Sequence, residues 1–400
     1  MLADEKNFRM TAQTMFGMEE LLAAELRNLG AMDVEMYNRA VGFRGDKGFM
    51  YKANLMLRTG LRILVPIHQF QVWDEQSLYD QIKKMAWEDY LDVDGTLAIN
   101  TSLNSDIFTH SQYISQKTKD AIVDRFRDKY GRRPSVDLEK PSLRINIFIN
   151  KDQCTVSLDS SGDSLHKRGY RDQTNLAPIN EVLAAGLIQM TGWNKLTHFV
   201  DPMCGSGTIL IEAALYSAGI PPGVYRNEFG FERWKDFDQE LYKNIYDIMI
   251  GKINTREPLI VGGEISPNVV RKGIANTHEA KVNDMIKIYH TSFAELARPE
   301  GSGGVMIINP PYGERMDKDE DIFELYASIG DTLKKNWEGY DAWIITSNME
   351  AAKHIGLRAS QKIKVFNGSL ECRFLKYEMY KGSKRVREEE VPKNDDIIEA

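Results

Sequence analysis

From residue 177 onward, apolar strand candidates alternate with helical stretches, and this alternation constrains the fold more than any other feature. Helical periodicity marks 179–191, 208–218, 268–276, 322–333 and 350–355, and short apolar runs mark 197–200, 259–262, 287–291, 305–308 and 342–346. Strand–helix–strand repetition makes successive strands parallel, and a parallel sheet needs helices on both faces. The pattern then changes. Two apolar runs, 362–366 and 370–380, flank Asn367-Gly368, which is a strong hairpin signal, so the sheet should end in an antiparallel strand. The charge-rich segment 383–400 is expected to be a disordered tail.

The N-terminal part reads differently. Strand candidates at 7–12, 34–37, 40–44 and 61–70 enclose helical stretches at 18–29, stopped by Gly30, and at 48–57. That order is strand–helix–strand–strand–helix–strand, a small ferredoxin-like unit. A second α+β unit follows, with helices at 77–85 and 111–130 and strands at 96–102, 143–150 and 153–158, the last two joined at Lys151-Asp152.

No apolar run is long enough to span a bilayer, and residues 1–10 lack the continuous apolar stretch of a secretory signal, so a cytoplasmic, membrane-free protein is expected. The three cysteines, Cys154, Cys204 and Cys372, are too scattered for a disulfide framework or a zinc site. A net charge of −7 excludes a general polyanion coat but not a local basic face. Residues 117–151 hold ten Lys/Arg against five acids, Arg132 and Arg133 among them, while the rest of the chain carries −12. That stretch is either an RNA-docking face or a solvated helix face.

Two loops carry the chemistry. Asp201-Pro202-Met203-Cys204-Gly205-Ser206-Gly207-Thr208 follows a strand and opens a helix. Its glycines let a ligand approach the backbone, and its amides can hydrogen-bond that ligand. A Walker loop would need Gly-Lys-Ser/Thr, and a dinucleotide site would want a third glycine where Leu210 stands. S-adenosylmethionine fits better. Asp201 would order the loop or hold the amino-acid end, Glu264 at the next strand end would accept the ribose hydroxyls, and Ser292 would reach the adenine amine. Read singly, Glu264 and Ser292 are equally strand-end polar residues facing water.

The second loop, Asn309-Pro310-Pro311-Tyr312, follows the apolar run 305–308. An exocyclic purine amine is a poor nucleophile because its lone pair is delocalised into the ring. Two acceptors gripping its hydrogens, the Asn309 side-chain oxygen and the Pro310 carbonyl, would favour a tetrahedral nitrogen. The prolines stiffen the turn, and Tyr312 offers a ring on which the base can stack. No metal is needed, since a sulfonium supplies the electrophile. Carbon-5 methylation of pyrimidines needs a nucleophilic thiolate, typically in a Pro-Cys motif, whereas these cysteines follow Gln153, Met203 and Glu371.

With these residues in view, the chain resembles the bacterial THUMP-domain methyltransferases that act on guanine N2 in large-subunit ribosomal RNA. The resemblance rests on His166-Lys167-Arg168-Gly169-Tyr170-Arg171, Ala177-Pro178-Ile179-Asn180-Glu181, the 201–208 loop, Phe229-Gly230-Phe231-Glu232-Arg233-Trp234 and residues 309–315. It implies a ferredoxin-like domain over 1–65, a THUMP RNA-binding domain over 66–160, and a Rossmann-like class I methyltransferase domain over 165–382. It also implies S-adenosylmethionine as cofactor, Asn309 touching both cofactor and target, and an RNA partner. Lys167, Arg168 and Arg171 would clamp a phosphate beside the reacting base, or serve as structural ion pairs. Some relatives carry a second methyltransferase domain; one such domain implies a single activity. Three alternatives stand beside this reading: transfer-RNA guanine-N2 methylation, adenine-N6 methylation of RNA or DNA, and a catalytically silent RNA-binding factor.

Overall fold

The computed structural model describes residues 6–171, 179–254, 259–301, 303–313 and 319–380. Ala177 and Pro178, residues 314–315 of the second loop's motif, and the 383–400 tail therefore lie outside the described residues.

The chain begins β1 (Phe8–Gln13), α1 (Glu19–Leu29), β2 (Met32–Tyr37), β3 (Ala40–Gly45), α2 (Lys47–Met56) and β4 (Arg62–Gln71). Period-two burial puts Phe8, Met10 and Ala12 of β1 on the core face, where Leu22, Ala23 and Leu26 of α1 meet them. The Asp46 side chain caps α2 by accepting from the Phe49 amide at 2.7 Å. Next come α3 (Glu75–Lys84), β5 (Thr96–Asn104), α4 (Ser111–Tyr130), the two-residue β6 (Ser135–Val136), β7 (Leu143–Asn150) and β8 (Gln153–Asp159).

These two α+β units share one eight-stranded sheet, ordered β2-β3-β1-β4-β8-β7-β5-β6. The joint is β4, which pairs with β1 from Arg62 to Leu64 and with β8 from Leu64 to Gln71. The boundary expected at 65/66 thus falls inside a continuous strand, just past Leu64, where its pairing passes from β1 to β8. One hydrophobic core runs beneath both halves.

The second sheet comprises α5 (Glu181–Met190), β9 (His198–Asp201), α6 (Thr208–Ala218), α7 (Gln239–Ile250), β10 (Ile260–Glu264), α8 (Pro267–Glu279), β11 (Ile286–His290), β12 (Gly304–Ile308), α9 (Asp319–Asn336), β13 (Tyr340–Thr346), α10 (Met349–Lys353), β14 (Gln361–Asn367) and β15 (Leu370–Glu378). Its order is β11-β10-β9-β12-β13-β15-β14, parallel except for β15, which runs antiparallel to both neighbours. Separate apolar clusters cover its two faces. This is the α/β architecture with a terminal hairpin that the alternation predicts.

Helix α7 was not anticipated. It sits in the insertion between α6 and β10, which leaves the catalytic sheet and packs on the N-terminal module. Phe229, Phe231 and Trp234 join the core of the first sheet, with the Phe231 ring 4.4 Å from that of Tyr51. Gly230 permits this docking, since a Cβ there would lie 2.6 Å from the Gly162 nitrogen. Among the described residues no helix is long and apolar enough to cross a membrane.

Candidate active site

In the second sheet, β9 leads to β10 on one side while β12 returns to pair with β9 on the other, which makes the β9/β12 edge a topological switch point. The carboxyl ends of four strands converge there. The 201–208 loop leaves β9, Glu264 closes β10, Ser292 follows β11, and Asn309 follows β12 directly. Together they line a cavity of about 770 Å³, within the ~300–1,000 Å³ usual for small-molecule sites.

The glycine loop is pinned from several sides. The Cys204 amide donates to the Gly263 carbonyl at 2.9 Å, the Asn276 amide to the Ser206 carbonyl at 3.0 Å, and the Met203 amide to Asp201 Oδ1 at 3.2 Å. Glu264 holds the loop to the next strand: Oε2 accepts from the Gly205 amide at 3.2 Å and Oε1 from the Ser266 amide at 2.8 Å. Each carboxylate oxygen keeps a further lone pair for a ligand hydroxyl. Gly205 lies at φ 53° and Gly207 at φ 82°, and a Cβ on Gly205 would meet nothing within 4 Å, so bare backbone borders the open cavity. Helix α6 starts at Thr208 with no side-chain cap, which leaves its first amides for a ligand.

Electrostatics adds a constraint. Burial, followed by the nearby Glu264 charge, pushes the Asp201 carboxyl up to about 8. Burial likewise pushes the Cys204 thiol well above its usual range, and all three cysteines are buried, so no thiolate nucleophile is on offer.

Of the loop residues expected at the cofactor, Asp201, Pro202, Met203, Cys204, Gly205, Ser206 and Thr208 line the cavity, as do Glu264, Ser292 and Asn309. Gly207 is not among its lining residues; it caps α6 and lies against Gly273. The Ser292 hydroxyl donates to Glu295 at 2.8 Å, a local bond that competes with the expected contact to an adenine amine.

At the second loop, Asn309, Pro310, Pro311 and Tyr312 all face the same cavity. The Tyr312 hydroxyl donates to Asn309 Oδ1 at 2.8 Å and accepts from the Asn367 amide at 3.4 Å. The Asn348 side chain holds the Tyr312 carbonyl at 3.0 Å, and the Tyr326 hydroxyl holds that of Pro311 at 3.3 Å. Expected as a stacking ring, Tyr312 also packs against the core and orients Asn309. Sequence reasoning missed Asn348 and Asn367. The first lies two residues past the end of β13 and acts on the loop only through the Tyr312 carbonyl, and the second, which lines the cavity, was read only as turn chemistry.

The basic residues behave less as expected. Arg168 is 2% exposed, so it cannot clamp a phosphate. Its guanidinium donates to the carbonyls of Arg58 (2.6 Å) and Leu165 (2.8 Å) and pairs with buried Glu212 at 3.3 Å. Tyr170 donates to the same Glu212 at 3.0 Å. Arg171 is also turned inward, donating to Thr208 Oγ1 at 2.7 Å and pairing with Glu181 at 3.2 Å, so it braces the start of α6. Lys167 remains exposed, 3.5 Å from Asp163. In the 117–151 stretch, Arg125 and Lys129 share Glu88, and the exposed Arg132 pairs with Asp94 at 2.9 Å. The excess charge counted along the sequence is partly cancelled by acids from outside the stretch; Arg133 stays exposed.

The chain is similar to known proteins. A family model described as RMKL-like, methyltransferase domain matches residues 168–376, one described as THUMP domain matches 73–159, and one described as RlmL ferredoxin-like domain matches 9–64. Over 385 residues the chain is 38% identical to a Synechocystis sp. protein provisionally named an RNA methyltransferase, covering 95% of this chain and 100% of that one. Over 377 residues it is 38% identical to the ribosomal RNA large subunit methyltransferase K/L of Syntrophotalea carbinolica, covering 91% of this chain and 52% of that enzyme. The chain thus spans about half of that relative's length. A crystal structure of a protein provisionally named a methyltransferase, complexed with SAH, superposes with a TM-score of 0.83 at 30% identity over 95% of this chain and 100% of that one.

Proposed function

This chain belongs to the RMKL-like methyltransferase family, and from that premise we propose that it transfers a methyl group from S-adenosylmethionine to the exocyclic N2 of a guanine in 23S ribosomal RNA. The observation that carries the reading is that Asn309 and Pro310 line the same cavity as Glu264 and residues 201–206 and 208 of the glycine loop. The SAH seen in the structural relative is the demethylated product of the same cofactor.

The residues fit that group. Glu264 has one free lone pair per oxygen for the ribose hydroxyls, and the bare backbone at Gly205 with the uncapped start of α6 suits a carboxylate. When bound, the cofactor supplies an electrophilic methyl on sulfur. Asn309 and the Pro310 carbonyl then accept from the two amine hydrogens and turn the nitrogen lone pair toward the methyl. An amide oxygen has two lone pairs, so Asn309 Oδ1 can hold the Tyr312 hydroxyl and a substrate hydrogen at once. The bond from Tyr312 fixes the amide before substrate arrives, and such preorganisation lowers a barrier in which charge develops. As the nitrogen takes the methyl, the methyl–sulfur bond would break with its electron pair left on sulfur, and one amine proton would pass to solvent. The THUMP region would supply RNA affinity away from the reacting base, and the enzyme would act in the cytoplasm.

The test is methyl transfer from radiolabelled cofactor to separated RNA pools, followed by nucleoside analysis. N2-methylguanosine in large-subunit RNA is expected. Label in transfer RNA, or on N6 of adenosine, would replace the substrate assignment, because the same grip fits either amine. No transfer to any RNA would leave a binding factor.

A further inference from the structure

A second cavity, of about 570 Å³, lies where the N-terminal module meets the catalytic sheet. Its walls come from both units: Lys140 and Arg144 at the start of β7, residues 162–171, and residues 225–233. Ile179 lines this cavity and the cofactor cavity alike, so the two are neighbours.

The lining is cationic. Seven Lys and Arg face four acids across it. Arg233, Arg171 and Lys167 pair with Glu228, Glu181 and Asp163, and Arg168 is matched by Glu212. Lys140, Arg144 and Arg226 make no ion pair among the described residues. The Arg226 guanidinium is fixed by the carbonyls of Ser161, Asp163, Ser164 and Lys167, and that of Arg144 by those of Leu138 and Glu139. Those carbonyls accept from the terminal guanidinium nitrogens, while the Nε of Arg144 and of Arg226 is buried with no hydrogen-bond partner among the described residues.

His166 also lines the cavity. Burial and then the charges of Arg168, Lys167, Arg62 and Arg171 push its ring down to about 4, so it stands neutral at pH 7. Two guanidinium groups held by backbone carbonyls and two exposed lysines, Lys140 and Lys167, thus line one cavity in which cations outnumber acids seven to four.

We infer that this cleft binds the phosphodiester backbone of the RNA beside the methylated nucleotide, with Lys140 and Lys167 as contacts and Arg144 and Arg226 as a fixed field behind them. The inference rests on the proposed RNA methyltransferase activity, because only a polymer substrate needs a backbone site next to the cofactor cavity. Two cations of the 117–151 stretch, Lys140 and Arg144, thereby serve RNA after all, while Arg132 and Arg133 lie outside this cavity's lining.

The experiment is fluorescence anisotropy of the full chain with a labelled oligouridylate of roughly 12 nucleotides, which carries backbone but no guanine, over a salt series. Lys140→Glu/Lys167→Glu should lower affinity at least tenfold at about 50 mM salt and flatten the log–log salt slope by about 1–2, since each lost phosphate contact removes about 0.7 from it. Cofactor affinity, read by calorimetry, should not change. Arg132→Glu/Arg133→Glu should bind nearly as the unaltered protein does. Unaltered oligouridylate binding in the Lys140/Lys167 variant overturns the inference, as does an equal loss in the Arg132/Arg133 variant. Failure of the unaltered protein to bind the oligonucleotide, or its displacement by inorganic phosphate at equal phosphate concentration, overturns it too. Methyl transfer by the unaltered protein is read separately, so the enzyme assignment and the cleft stand or fall apart from each other.

Discussion

Removing the Tyr312 hydroxyl tests whether Asn309 is held in a working orientation or merely occupies a turn. In Tyr312→Phe the ring keeps its packing against the core, and only the 2.8 Å bond to Asn309 Oδ1 and the longer contact from Asn367 are lost. A neutral hydrogen bond of this kind contributes about 1 kcal/mol net. If that energy serves to hold the amide, the barrier rises by the same amount, and about 1.4 kcal/mol is tenfold in rate, so turnover should fall about fivefold. Asn309→Ala removes the acceptor itself and should cost about 10²–10³ in turnover, with cofactor and RNA binding nearly intact. The two losses are then not additive: with Asn309 gone, the hydroxyl has nothing to orient, and the double variant should be no slower than Asn309→Ala. Single-turnover methyl transfer at saturating cofactor reads the chemical step directly, and the cycle should show a coupling of about 1 kcal/mol. A Tyr312→Phe enzyme at full rate would show that the hydroxyl orients nothing. An Asn309→Ala enzyme at full rate would remove the tetrad from the chemistry.

Glu264→Ala should weaken S-adenosylmethionine binding at least tenfold, about 1.4 kcal/mol by calorimetry, because it removes the proposed ribose acceptor and frees the Gly205 amide; unchanged affinity would take Glu264 out of the site. Asp201 should make stability fall with rising pH. Its carboxyl reads about 8 in the fold against about 3.9 unfolded, so between those values the folded state binds the extra proton, and the penalty is complete above pH 8. Asp201→Asn should therefore raise the melting temperature of the cofactor-free protein more at pH 8 than at pH 5, and an equal rise at both would refute the shift. Arg168→Met should destabilise the protein by about 3–5 kcal/mol in urea, because Glu212 is left buried without its cation. The Michaelis constant for RNA should stay put; a rise with stability intact would restore the phosphate clamp.

Much of this protein is written locally. Alternating apolar runs and 3.6-residue periodicity name nearly every strand and helix of both sheets, since core-facing side chains recur at intervals set by backbone geometry alone. The Asn367-Gly368 hairpin and the two chemistry-bearing loops are equally local. Each follows a strand, and strand ends of a parallel sheet gather at one edge, so Asp201, Glu264 and Asn309 were legible as one site before any coordinate. Partnerships between distant residues were not. Arg168 reads as an exposed cation until Glu212, 44 positions on, is found buried against it. Phe229 and Phe231 read as parts of the catalytic domain until Tyr51 is found beside them, in the core of the other sheet. The sharing of β4 between two α+β units, and the meeting of Lys140 with Lys167 across a cleft, depend on long-range strand pairing and docking. A side chain's type fixes what it can bind, but only the tertiary fold decides whether water, a carboxylate or a carbonyl is there to meet it.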